Sequence, residues 1–344
     1  MAFGRVVKLY VGKFELGNET EEAVGGDNLL IENLDIEFEV ERSIYYWENG
    51  ATITVWNASP GTIKTIMASR SVVLKAGYED EGVGNIFVGQ IGLVRNERAR
   101  GGDMRTTLSC VSARGAFYQL SKLSCDCRFS ATDTARACLQ TLCDYAGLAL
   151  RASGDDLDTA IGAPFACSDS FPNAVKAFSD GVLFPLVHKK LYMDNNEMIV
   201  YGLGTSGKFD RISLEEIDLD FESGLLSCTE IKDERDNRIN AAQNAYYFFE
   251  GLPNSSVIEE YGLKPDELPE EDLDMKRRIR FTALISPKFA PNVFVNMDSR
   301  TGDEYDEVLA VEGRFIILSV TFRGGNTGSD FTVDCEALEA EDDG

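Results

Sequence analysis

Apolar and polar residues alternate with a period of two through much of the first third of the chain. Around Leu30 to Val40, Ile36, Phe38 and Val40 fall on one side and Asp35, Glu37, Glu39 and Glu41 on the other. Ala51 to Trp56 repeats the pattern, with Ile53 and Val55 opposite Thr52 and Thr54. One dry face and one wet face predict antiparallel strands. Ser59-Pro60 supplies a helix N-cap and a first-turn proline, and Ile63, Ile66 and Met67 give the short helix behind it an apolar side. Val72–Tyr78, Asn85–Val94 and Thr106–Val111 complete a run of strands, so residues 1–115 read as a small barrel or sandwich.

The period changes in the middle, residues 116–221. Ser130-Ala-Thr-Asp133 looks like a capping box. Behind it Ala135, Cys138, Leu139, Leu142 and Ala146 follow at helical spacing, up to Gly147 at the C′ position. This spacing predicts that Cys138 is buried on the inner side of the helix. A second helix is predicted from Pro172 to about Asp180, with Ser170 as its cap and Ala174, Val175 and Phe178 buried. Leu183–Tyr192 and Glu197–Leu203 are predicted to form a hairpin around Asp194-Asn-Asn196, giving a compact α+β unit.

Residues 222–344 return to strands, at Arg278–Ile285, Asn292–Met297, Gly313–Phe322 and Asp330–Glu336. Ahead of them, Glu259 to Asp274 carries eight acids against one lysine and two prolines, which predicts a solvated surface insertion at about 237–275. The tail beyond Cys335 has five acids and no base.

Two stretches echo each other. Asn85-Ile-Phe-Val-Gly-Gln-Ile, with Arg100-Gly-Gly-Asp and Thr106-Thr-Leu-Ser-Cys110 after it, matches a later series. That series is Arg314-Phe-Ile-Ile-Leu-Ser-Val, Arg323-Gly-Gly-Asn and Phe331-Thr-Val-Asp-Cys335. Each is a strand, a basic-glycine turn and a second strand ending in Cys. Chance is one explanation, because glycine-rich hairpins are common. The other is a duplicated barrel flanking an inserted domain, with the 100–103 and 323–326 turns at equivalent places.

A length of 344 residues exceeds one comfortable core and predicts two or three domains. Lys+Arg 33 against Asp+Glu 58 leaves a net charge of -25, the wrong sign for gripping phosphates or anionic lipid. Solubility alone would also account for it. Residues 1–13 hold no continuous apolar run of a secretory signal, and no stretch is apolar enough for a membrane span, so assembly in the cytoplasm is expected.

The search for chemistry assigns no catalytic, cofactor-binding or metal-ligating residue and implies no cofactor. The eight cysteines, at 110, 125, 127, 138, 143, 167, 228 and 335, lack paired C-x₂-C spacing and histidine partners. Buried reduced thiols are expected, with disulfides in a released particle as the alternative. His188, the one histidine, sits in an apolar run and is expected in or beside a core strand. Gly202-Leu-Gly-Thr-Ser-Gly207 matches G-x-G-x-x-G without the helix that a dinucleotide site needs, and reads as a turn. Asp155, Asp156 and Asp158, and Asp298, Asp303, Glu304, Asp306 and Glu307, lack a calcium-loop register and read as loop solvation.

The order of several segments resembles a known family. Asp35-Ile-Glu-Phe-Glu-Val, Ala51-Thr-Ile-Thr-Val-Trp-Asn-Ala-Ser-Pro-Gly and Val73-Leu-Lys-Ala-Gly-Tyr-Glu-Asp resemble the opening of contractile-phage baseplate hubs. Ser223-Gly-Leu-Leu with Arg280-Phe-Thr-Ala-Leu-Ile-Ser-Pro resembles the start of their second barrel. Gly313-Arg-Phe-Ile-Ile-Leu-Ser-Val-Thr-Phe with Gly325-Asn-Thr-Gly-Ser-Asp-Phe-Thr-Val resembles their closing hairpin. The resemblance covers most of the chain outside about 237–275.

It implies a mainly β protein in which two tail-tube-like antiparallel β-barrels (1–115 and 222–344) flank an α/β domain (116–221). Its implied partners are itself as a homotrimer, tail tube proteins, a central spike protein, baseplate wedge proteins, and DNA passing unbound through the lumen. The implied location is the baseplate of a virion tail, with a structural rather than enzymatic role and Glu37 and Glu39 as candidate pore-wall acids. The rivals are a tail-associated cell-wall hydrolase, with Asp155, Asp156 and Asp158 as first suspects, and a hub of a related injection machine.

Overall fold

A computed structural model describes residues 4–13, 28–44, 49–99, 101–112, 124–195, 197–202, 216–231, 277–302, 306–328 and 330–340. The Gly202–Gly207 motif beyond Gly202, the 237–275 insertion, Asp303 and Glu304, and the tail after 340 lie outside the described residues.

The first third contributes β1 (Arg5–Gly12), β2 (Leu29–Ile31), β3 (Ile36–Ser43), β4 (Gly50–Trp56), β5 (Ser71–Tyr78), β6 (Gly82–Arg98) and β7 (Met104–Val111). The last third contributes β13 (Glu216–Leu219), β14 (Leu225–Glu230), β15 (Arg278–Leu284), β16 (Phe294–Asp298), β17 (Glu312–Gly325) and β18 (Phe331–Glu339). All thirteen belong to one sheet, ordered β14-β15-β18-β17-β3-β4-β7-β6-β5-β1-β2, with β16 on β17 and β13 on β16. Every pairing is antiparallel except β13 with β16.

The join between the two thirds is β17 against β3, where Phe322 stands opposite Val40 and Arg323 opposite Glu39. Period two does the rest. Ala283, Val333, Phe322, Val40, Ala51, Cys110 and Ile91 lie side by side across seven strands. They belong to one apolar core that runs from Val7 to Ala337. Burial of that face, at about 25 cal/mol per Å² of apolar surface, is what binds the two ends of the chain to each other.

Helix α1 (Pro60–Ala68) begins as expected: the Ser59 hydroxyl accepts the Thr62 N–H at 3.1 Å. Ile66 is buried, but Met67 projects into solvent at 62% exposure, so the helix offers a narrower apolar side than its sequence implies.

The middle of the chain builds its own core. It holds β8 (Ser124–Phe129), α2 (Ala135–Ala146), β9 (Ala149–Ala152), β10 (Phe165–Ser170), α3 (Phe171–Phe178), α4 (Phe184–Val187), β11 (Lys189–Asp194) and β12 (Glu197–Gly202). Two small sheets, β10-β8 and β11-β12-β9, pack with the helices around Leu139, Leu142, Phe171 and Phe178.

Three expectations change here. The cap of α2 is Thr134, whose hydroxyl accepts the Ala137 N–H at 3.2 Å. The Ser130–Asp133 stretch is instead a turn closed by the Asp133 carboxylate on the Ser130 N–H. Leu183–Val187 is helical rather than strand, because α3 runs on through a π turn at Ser179–Leu183 into α4. An apolar run of that length does not fix its own period. His188 therefore ends a helix at φ +54°, exposed, with its ring edge-on to Phe184 at 5.6 Å. It is not in a strand.

Candidate functional surface

The wet side of the large sheet carries rows of polar side chains. Along β3 it shows Glu37, Glu39 and Glu41, each exposed between buried neighbours. Thr52 and Thr54 on β4 and Thr107 and Ser109 on β7 continue the rows. On the other side Arg323 faces Glu39 at 3.6 Å and also pairs with Asp334, which accepts the Thr282 hydroxyl at 2.7 Å. Further out, Arg105 meets Glu97 at 2.7 Å. The surface is thus acidic along β3 and mixed towards its flanks. At roughly half exposure, each such pair contributes little stability and leaves its charges available to solution.

The hairpin β11–β12 covers part of this side. Its alternate residues serve two cores: Leu191, Met193, Met198 and Val200 point into the middle unit. Tyr192, Ile199 and Tyr201 pack with Ile44, Phe294, Ile316 and Leu318 of the large sheet. The Tyr192 hydroxyl donates to the Pro291 carbonyl at 3.2 Å. Burial pushes its phenol well above the ordinary value, so it stays a neutral donor.

A buried polar lock holds the hairpin tip. Arg42 Nε donates to Asp194 Oδ1 at 3.0 Å and its Nη2 to Oδ2 at 2.5 Å. Asn49 Nδ2 donates to Asp194 Oδ1 and to the Met193 carbonyl, both at 3.1 Å, while Asn49 Oδ1 accepts the Ser43 N–H at 2.9 Å. Burial by itself would lower the Arg42 pKa, but the charge and hydrogen bonds of Asp194 outweigh it and hold the guanidinium above its usual value. One residue further, Asn195 Oδ1 accepts the Val88 N–H of β6 at 3.0 Å. The tip is thereby held to two strands of the first third, β3 and β6.

Sequence reasoning missed this lock. The one signal was Arg42 itself: it stands opposite Val320, in step with Ile36, Phe38 and Val40, where an apolar residue belongs.

Among the described residues, the acids singled out from the sequence are held in ion pairs and turns. Asp156 pairs with Lys189, itself buried, at 2.8 Å, and Asp158 pairs with Arg136 at 2.8 Å. Asp298 is held below the ordinary carboxylate range by hydrogen bonds from Arg300. Asp306 caps the turn at Thr301 and Gly302. Cys138 is buried on α2, and burial raises its thiol to about 11. Among the described residues no group of three or more His, Cys, Asp or Glu is arranged to hold a metal ion, and no helix is long and apolar enough to cross a membrane.

The two echoing hairpins lie in the same sheet, separated by β3 and β4. In β6–β7, six successive pairs run from Arg98–Met104 to Leu93–Ser109 before Gly92 bulges out. In β17–β18, six pairs run from Gly324–Phe331 to Ser319–Glu336 before Leu318 bulges out. The matching register differs from the echo read in sequence. Arg323–Gly325 is still strand and the turn follows it, so Cys335 matches Leu108 rather than Cys110.

No protein-family model matches the sequence, and no curated protein does. Solved structures do match. The 43 kDa tail protein of prophage MuSo2 from Shewanella oneidensis aligns over 98% of both chains with a TM-score of 0.56 at 10% identity. The tail protein from Neisseria meningitidis MC58 aligns over 98% of this chain and 97% of its own, with a TM-score of 0.54 at 10% identity. A chain of the lidded Francisella PdpA–VgrG complex aligns over 98% of this chain but 53% of its own, with a TM-score of 0.50 at 8% identity. The fold of this chain is thus shared with these two tail proteins.

Proposed function

We propose that the chain is the structural hub of a tail baseplate, in which its two outer thirds act as two tube-like barrels around the inserted middle unit. The observation that carries this reading is the repeated hairpin. Two strand pairs with the same six-pair register and bulge lie in one sheet of one chain. A trimer of a chain with two like units presents six similar surfaces, which reconciles a sixfold tube above with a threefold spike below. The likeness to phage tail proteins over their whole length supports the same role.

In this reading the wet side of β3 lines the lumen. Glu37, Glu39 and Glu41 repel a DNA backbone that carries one charge about every 1.7 Å of axis, and so let it slide. Screening limits that repulsion to roughly 8–10 Å at physiological salt. The role is mechanical rather than enzymatic. Wedge, tube and spike proteins are the partners, the assembled tail is the location, and assembly takes place in the host cytoplasm. The test is electron microscopy of tails carrying a tagged chain. Threefold label density at the distal end of the tube is expected. Label along the tube, or on the sheath, contradicts the proposal.

A further inference from the structure

Three thiols share one side of the β8–β10 ribbon. Cys127 stands directly opposite Cys167 in the antiparallel register, and Cys125, one step along the same side, is hydrogen-bonded to Cys127. The side chains of this face do meet across the strands: the next pair along, Phe129 and Phe165, stack with ring centroids 6.1 Å apart. All three cysteines are free thiols.

We propose that Cys127 and Cys167 form an oxidation site, closing to a disulfide when the protein meets a low-molecular-weight disulfide such as oxidised glutathione. Directly opposed residues in an antiparallel pair have Cα atoms about 4.5 or 5.5 Å apart, and either value lies inside the 4.4–6.8 Å range of disulfides. The competing pair, Cys125 and Cys127, is two residues apart along one strand. At about 3.4 Å rise per residue their Cα atoms lie near the upper limit of that range, with the bond along the strand rather than across it. Geometry therefore selects the cross-strand pair.

Access selects the order of events. Cys167 is only half-buried, whereas Cys125 and Cys127 are buried. The Cys167 thiolate attacks one sulfur of glutathione disulfide, and one glutathione thiolate leaves. The Cys127 thiolate then attacks the Cys167 sulfur of the mixed disulfide, and the second glutathione leaves. Two protein thiols lose two electrons and two protons, and both appear on two glutathione thiols. Burial holds the attacking Cys167 thiol above its ordinary value, so the first exchange is slow at neutral pH and speeds up as pH rises.

The consequence is local. Among the described residues β8 and β10 pair only with each other, and a two-stranded ribbon is a weak structure that depends on the helices packed against it. The bond would fasten it and enclose the α2 segment in a covalent loop.

The full-length native protein should be incubated with glutathione disulfide, quenched with acid, and mapped as peptides without reduction. We expect a loss of 2 Da and a Cys127–Cys167 cross-link as the main product. The native thermal midpoint should rise by roughly 3 °C or more, reversed by dithiothreitol. Cys125→Ser should retain the cross-link and Cys167→Ser should lose it. A Cys125–Cys127 link as the main product, a stable glutathione adduct at Cys167, or eight unmodified thiols after prolonged oxidation would each overturn the proposal. The mapping of the unaltered protein decides these outcomes even if a variant folds poorly.

Discussion

At equivalent bulges of the two long hairpins, β6 places Gly92, in solvent, and β17 places Leu318, buried. Two residues before the bulges, β6 places the half-buried polar Gln90, while β17 places Ile316 in the cluster with Tyr192 and Tyr201. The strand geometry is the same and the cover is not. β17 carries the β11–β12 hairpin on its outer side and is apolar on both faces there. β6 is open to solvent mainly from its bulge onward, while its Ile86–Gly89 stretch is buried and the hairpin tip reaches Val88. Two hairpins can thus share a backbone register while their outer sides meet different neighbours.

The largest effect should come from breaking the lock that fixes this cover. Asp194→Ala leaves Arg42 charged and buried without its partner, and should cost about 3–5 kcal/mol in urea unfolding. Replacing both residues, with Arg42→Met and Asp194→Leu, should recover much of that loss. A single variant that unfolds like the parent would show that the tip is not locked.

A direct comparison of the two copies comes next. Leu318→Ala should cost about 2–4 kcal/mol, in the range for a buried leucine. Leu93→Ala should stay within about 0.5 kcal/mol. Equal losses would erase the contrast between the covered and the open bulge.

The smallest effect belongs to the wet side. Glu39→Gln removes a half-exposed partner of Arg323 and should change stability by about 0–1 kcal/mol, less at high salt. A loss above about 2 kcal/mol would mean that β3 is covered there.

How much of this was legible follows the same division. Wherever one face meets water, the strands could be read directly: β3, with burial alternating along Ile36-Glu-Phe-Glu-Val-Glu41, is the clearest case. Wherever both faces are covered, the period disappears. The 183–187 run is a different case: it reads as strand because so short an apolar run fixes no period, and it forms helix with Pro185 exposed. The Arg42–Asp194–Asn49 lock joins residues more than 140 positions apart, and nothing local marks it except one arginine out of pattern. β8 and β10 were also missed, because Ser124-Cys-Asp-Cys-Arg-Phe129 is short and its apolar side is largely sulfur. The pairing of β17 with β3, which joins the chain's two ends, follows from the fold as a whole and from no local pattern.

The account rests on two like units per chain completing a threefold ring, and the mass of the purified protein in solution tests that most directly. Mass photometry at physiological salt should give a dominant species three times the 37.9 kDa of one chain. A dominant monomer or dimer, unchanged when tube or spike protein is added, would contradict it.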